Sequence, residues 1–130
     1  MVYKIPEIGD FVFARVSKIS KNRGAECQIF SIGQNPLGAE FRGIVRTLDI
    51  AAPSLITEFS EISECFRPGD IIRARVISLG DARAFFLSTV ADDCGVVWAP
   101  GNFKPASYRL VEVNGRAERR KVAKPVWLET

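Results

Sequence analysis

Short runs in which apolar and polar residues alternate, each closed by a turn-forming residue, recur along the chain from Phe11 to Thr89. Period-two alternation sends successive side chains to opposite faces of a strand. The pattern predicts strands over Phe11–Ile19, Ala25–Phe30, Phe41–Arg46, Ile71–Leu79 and Ala84–Thr89. Five short strands without a long amphipathic helix predict an all-β chain built on a small barrel. Val12, Ala14 and Val16 share one face of the first strand, as Ile72, Ala74 and Val76 do on the fourth, and both sets should line the core. Small alanines at the centre of each inward face suit a narrow barrel.

Two strands nearly repeat one another. Ile8-Gly9-Asp10-Phe11-Val12-Phe13-Ala14-Arg15-Val16 parallels Pro68-Gly69-Asp70-Ile71-Ile72-Arg73-Ala74-Arg75-Val76. A Gly-Asp pair suits the tight turn that launches a strand, because the aspartate can bond the backbone beside it. The segment from Thr47 to Cys65 breaks the alternation with Ala51-Ala52-Pro53-Ser54 and spaced glutamates, and predicts a loop with at most a short helix. In a five-stranded OB barrel such a connection lies between strands three and four. Further on, Val96-Val97-Trp98 reads as one more strand, and Ser107 to Thr130 as a hairpin with Asn114-Gly115 at its turn. This extension is too small to own a core and must dock on the barrel or on another protein.

Charge adds a division to this picture. The net charge is only +3, but acidic residues concentrate at Asp49, Glu58, Glu61, Glu64 and Asp70, while both ends of the chain are basic. Segregation of this kind fits an anionic ligand on one face and a protein on another. No apolar run reaches the ~18 residues of a membrane helix, and no membrane partner is expected. The absence of histidine removes Ser-His-Asp catalysis, histidine metal ligands and histidine pH switching. Cys27, Cys65 and Cys94 are widely spaced; Cys27 is in phase with Ala25 and Ile29 and should be a core residue rather than a metal ligand. No carboxylate pair or phosphate-cradling glycine loop stands out, so neither a catalytic site, a cofactor nor a metal is expected.

The strongest chemical signal is a basic and aromatic outer face. Arginines and lysines that track phosphates, with rings that stack on bases, are how single-stranded nucleic acid is held. The candidate RNA-binding residues are Phe13, Arg15, Lys21 and Arg23 on the first strand and its turn, Arg42 and Arg46 on the third, and Arg73 and Arg75 on the fourth. Phe11 is expected beneath the extension. The candidate protein interface is Glu58, Glu61 and Glu64, whose charge would repel phosphates, together with Trp127 and Leu128 after Pro125.

These pieces combine into a resemblance. Gly9-Asp10, Gly24-Ala25, Gly43-Ile44-Val45, Pro68-Gly69-Asp70 and Leu87-Ser88 resemble the signature of the S1 RNA-binding domain. More specifically, Phe41-Arg42-Gly43-Ile44-Val45-Arg46, the run from Cys65 to Ala82, Gly95-Val96-Val97 and the final Ala123 to Thr130 resemble the Csl-type cap subunit of the eukaryotic RNA exosome. The likeness covers most of the chain from about Pro6.

The resemblance implies a five-stranded S1-type OB barrel over 1–92 and a zinc-ribbon-like extension over 93–130. It also implies a non-catalytic subunit that helps assemble the exosome and guides RNA to the 3′–5′ degradation channel, in nucleus, nucleolus and cytoplasm. Its partners would be weakly held, sequence-tolerant single-stranded RNA, RNase PH-like ring subunits and other cap subunits. Members of the family usually carry a further small N-terminal domain, and few residues precede this barrel, which makes the chain a reduced or a trimmed version. Ser107-Tyr108-Arg109-Leu110 stands where the family's zinc-binding cysteines would begin, so the extension is expected to lack the metal. Arg23, Glu26 and Arg46 replace positions where S1 relatives carry rings or histidine, exchanging stacking for charge. The competing reading is a free-standing S1-type RNA-binding module of translation, which would need neither the acidic loop nor the extension.

Overall fold

The alternating runs form strands that wrap into a barrel in the computed structural model, which describes residues 4–53, 62–80 and 84–124. The strands are β1 (Phe11–Ser20), β2 (Gly24–Ile32), β3 (Asn35–Val45), β4 (Ile71–Leu79) and β5 (Phe85–Ser88). Their order is β1-β2-β3-β5-β4, and β4 returns to β1, so the sheet closes on itself. Only β3 and β5 run parallel; the other pairs are antiparallel. This is the OB-fold arrangement expected from the sequence.

Inward alternation fills the barrel as anticipated. Val12, Ala14, Val16, Ile72, Ala74 and Val76 are buried, joined by Ala25, Cys27 and Ile29 from β2. The β3–β4 connection adds Ile50, Ile62, Cys65 and Phe66 to the same core. Among the described residues of this connection, 3-10 turns cover Thr47–Asp49 and Ile62–Glu64. Buried Thr89 fastens this connection to the end of β5, its amide donating to the Asp49 carbonyl and its hydroxyl to that of Ile50.

Strand β3 begins earlier than the sequence indicated. Gly33-Gln34 form a two-residue turn, and Ile32 pairs with Asn35 at once. The turn-forming run Asn35-Pro36-Leu37-Gly38 concealed this part of the strand. At its other end β3 stops at Val45, and Arg46 caps the following 3-10 turn instead of continuing the sheet.

The repeated Gly-Asp motif produces an approximate two-fold about the β1–β4 pair. Phe11 lies opposite Arg75, and its counterpart Ile71 lies opposite Arg15. Both aspartates do the same work: Asp10 Oδ2 accepts from the Glu7 amide and Asp70 Oδ2 from the Arg67 amide, each at 2.9 Å.

Beyond the barrel, β6 (Gly95–Trp98) pairs with β4 and so extends the barrel's own sheet. A separate three-stranded antiparallel sheet holds β7 (Phe103–Pro105), β8 (Leu110–Val113) and β9 (Arg116–Arg119). Asn114 (φ 53°) and Gly115 (φ 79°) make the β8–β9 turn, as the sequence predicted for Asn-Gly. Strand β7 was not foreseen, being only three residues long and ending on Pro105. Proline is tolerated here in a short strand at the edge of its sheet.

Candidate nucleic-acid interface

Outward-facing residues of β1, β2 and β3 fall into rows across the barrel. Arg15 lies opposite Gln28, and Gln28 opposite Arg42. Phe13 faces Arg73 across the β1–β4 pair, and Phe11 faces Arg75. The topology therefore brings five of the eight candidate RNA residues onto one curved sheet, with Arg46 just past the end of β3 and Lys21 and Arg23 on or beside the β1–β2 turn and exposed.

Most of this positive charge is already answered within the chain. Arg42 meets Glu26 at 2.8 Å, Arg46 meets Asp49 at 2.7 Å, Arg73 meets Asp93 at 2.8 Å, and Arg15 lies 3.7 Å from Glu40. The Arg73 guanidinium holds the Asp93 carboxyl below its ordinary range, with partial burial opposing. Of the eight candidates, Arg23 and Arg75 carry no ion pair among the described residues; Arg75 is exposed and sits opposite Ser88 on β5. Sequence reading could not see three of these pairs, because Glu26, Glu40 and Asp93 are distant in sequence from their arginines; only Arg46 and Asp49 are near neighbours.

The arginines also cover the rings. The Arg46 guanidinium lies 4.1 Å above the Phe86 ring and that of Arg73 4.3 Å above Phe11. Arg15 approaches Phe30 at 5.9 Å. Such cation–π contacts occupy the faces on which a base would stack. Phe11 is thus half-buried beneath Arg73, whereas the sequence reading had placed it under the extension.

The extension is locked to the barrel by two members of its cationic run. Arg120 and Lys121 are both buried. Arg120 Nε donates to Asp70 Oδ2 at 2.6 Å, and its guanidinium also meets Glu118 at 3.0 Å. Burial pushes the Asp70 carboxyl above its ordinary range, against the opposing pull of Arg120 and the Arg67 amide. Its Oδ1 is buried without a hydrogen-bond partner among the described residues. The Lys121 ammonium donates to the carbonyls of Ala91 and Cys94 at 2.8 and 2.6 Å, and its burial lowers its pKa. Backbone bonds from Val96 to Lys121 and from Ala123 to Val96 complete the seam. Gly95 is required there: a Cβ would lie 2.3 Å from the Lys121 carbonyl oxygen.

Cys27, Cys65 and Cys94 are buried free thiols, pushed up to about 12, 12 and 11 respectively, chiefly by burial. Of the candidate protein-interface residues, Glu64 is half-buried at the end of its 3-10 turn, while Glu58, Glu61, Trp127 and Leu128 lie outside the described residues.

Comparison with known proteins decides the family. The chain is 38% identical to the Schizosaccharomyces pombe protein "Exosome complex component csl4" over 94% of its own length and 69% of that protein's. It belongs to the Csl4 family of exosome components. A family model described as "Exosome component EXOSC1/CSL4" matches residues 33–79, from the β2–β3 turn to the end of β4. Mouse and human Csl4 exosome components are 44% and 43% identical over 73% of this chain, which spans about half (48%) of each. A solved structure described as an exosome complex RNA-binding protein superposes with a TM-score of 0.50 at 14% identity. It covers 82% of this chain and 55% of that one, a likeness of fold. The Csl4 match extends past the barrel, consistent with β6 and the extension forming one seam with it.

Proposed function

We propose that this chain is a non-catalytic cap subunit of the RNA exosome that helps assemble the complex and guides RNA toward its 3′–5′ degradation channel. The observation that carries the reading is the match to a Csl4 exosome component across 94% of the chain. The chemistry of the barrel supports a guide rather than a catalyst. Among the described residues, Asp10 and Asp70 serve turns, and Glu26, Asp49 and Asp93 hold arginines. Histidine is absent from the whole sequence. RNA is held weakly and without sequence preference, because barrel cations without an ion pair among the described residues, such as Lys18, Arg23 and Arg75, contact phosphates rather than bases. Ring and cap subunits take the acidic β3–β4 connection and the chain's C-terminal end, and the complex works in nucleus, nucleolus and cytoplasm.

The test is reconstitution of the exosome from its other subunits with and without this chain. Addition should increase processive decay of a single-stranded RNA while the isolated chain degrades none. RNA decay by the isolated chain, or a complex that forms and works equally well without it, would overturn the proposal.

A further inference from the structure

An open groove of about 490 Å³ lies where β6 meets the three-stranded sheet, lined by Trp98, Asn102, Phe103, Lys104 and Glu112. Its volume falls in the ~300–1,000 Å³ range of small-molecule sites. Trp98 is 46% exposed, an unusual position for so large an apolar ring. Phe11, Phe30 and Phe86 on the barrel, and Tyr108 on the extension, each have an arginine of this chain over them. No cation or ring lies over Trp98 among the described residues. Among the described residues it is the one exposed ring without a cation over it.

We propose that the Trp98 groove is a single-stranded RNA subsite in which one nucleobase stacks on the indole. This rests on the RNA-guiding reading above and moves the stacking contact off the barrel's arginine-covered face. The Asn102 side-chain amide makes no hydrogen bond among the described residues and can meet a base edge. Lys104, exposed and without an ion pair among the described residues, supplies a phosphate contact at the rim. Glu112 sits directly across from Lys104 and repels phosphate, so the groove takes the base while the backbone passes outside. Gly115, at another edge of the groove, would meet nothing within 4 Å if it carried a Cβ, which leaves room for the strand.

The test uses the full chain and a fluorescein-labelled 20-nucleotide oligo(A), followed by anisotropy across a salt series. Stacking on one ring predicts that Trp98→Ala weakens binding about 5- to 150-fold with an unchanged salt slope. Trp98→Phe should retain most of the affinity, and Lys104→Ala should instead reduce the slope by about 0.7. Melting temperatures of both Trp98 variants identify any loss due to unfolding, and Trp98→Phe remains informative if Trp98→Ala is unstable. Wild-type binding that Trp98→Ala leaves within twofold overturns the subsite but leaves the RNA-guiding reading intact. Absence of wild-type binding to any oligonucleotide defeats that reading itself. A proline-rich peptide that protects Trp98 from quenching, with RNA affinity unchanged by either variant, would assign the groove to protein and overturn the proposal.

Discussion

Removing the Arg120 side-chain charge should show how the extension is held. Arg120 and Asp70 are 3% and 1% exposed at the side chain, and their 2.6 Å contact is the shortest ion pair described. Arg120→Met keeps the apolar stem but strands the Asp70 carboxylate, whose Oδ1 already has no partner among the described residues. Breaking a buried pair from one side costs about 3–5 kcal/mol. Part of that cost can be escaped by protonation. Burial already raises the Asp70 carboxyl, and loss of the guanidinium removes the main opposing influence, so its pKa must climb further. A carboxyl with a raised folded pKa binds its proton more tightly folded than unfolded. Stability is then greatest below the unfolded value of about 3.9 and falls as pH rises through the folded pKa. Urea unfolding of Arg120→Met should therefore show a deficit of about 3–5 kcal/mol at pH 7 that shrinks as the pH is lowered toward 4. Asp10→Asn supplies an internal control, since Asp10 makes the same turn bond without an arginine and should cost only about 0.5–1.5 kcal/mol. A deficit below about 1 kcal/mol at pH 7, or one that grows with acidification, would refute the reasoning.

Other expectations follow from the same geometry. Gly95→Ala drives a methyl into the Lys121 carbonyl and should cost more than about 2 kcal/mol by thermal or urea unfolding, whereas Gly115→Ala should cost about 1 kcal/mol for its positive φ alone. Asn114→Ala loses both a residue suited to φ 53° and the 2.9 Å bond from the Asn102 amide, and should destabilise by about 1–2 kcal/mol. The three thiols, raised to about 12, 12 and 11 and buried, should resist a disulfide reagent at pH 8 in the native protein and react in urea. Arg75→Ala and Arg23→Ala should each lower the salt slope of RNA binding by about 0.7, while Arg46→Ala should mainly lower the melting temperature.

The barrel was legible because two signals agreed. Period-two alternation set the inward faces of β1, β2 and β4, and the repeated Gly-Asp motif marked where two of those strands begin. The Asn-Gly turn was equally plain, since few residues accept its backbone. What escaped was long-range pairing. Arg120 and Lys121 sit in a cationic run, yet Asp70 lies fifty residues away and the acceptors of Lys121 are backbone carbonyls, which carry no sequence mark. The outer arginines failed to reveal their state for the same reason. Residue type announced positive charge, but only the folded sheet sets Glu26 beside Arg42 and Asp93 beside Arg73. Trp98 was read as a strand residue; the groove it lines with Phe103, Lys104 and Glu112 exists only once β7 and β8 have formed, and three-residue β7 was not foreseen.

Membership of an exosome is the claim on which the functional account turns, and affinity purification of the tagged chain from its native cell tests it most directly. Mass spectrometry should find RNase PH-like ring subunits and other cap subunits in near-stoichiometric amounts, stable to moderate salt. Recovery of ribosomal or initiation factors in their place, or of the chain alone, would contradict the account.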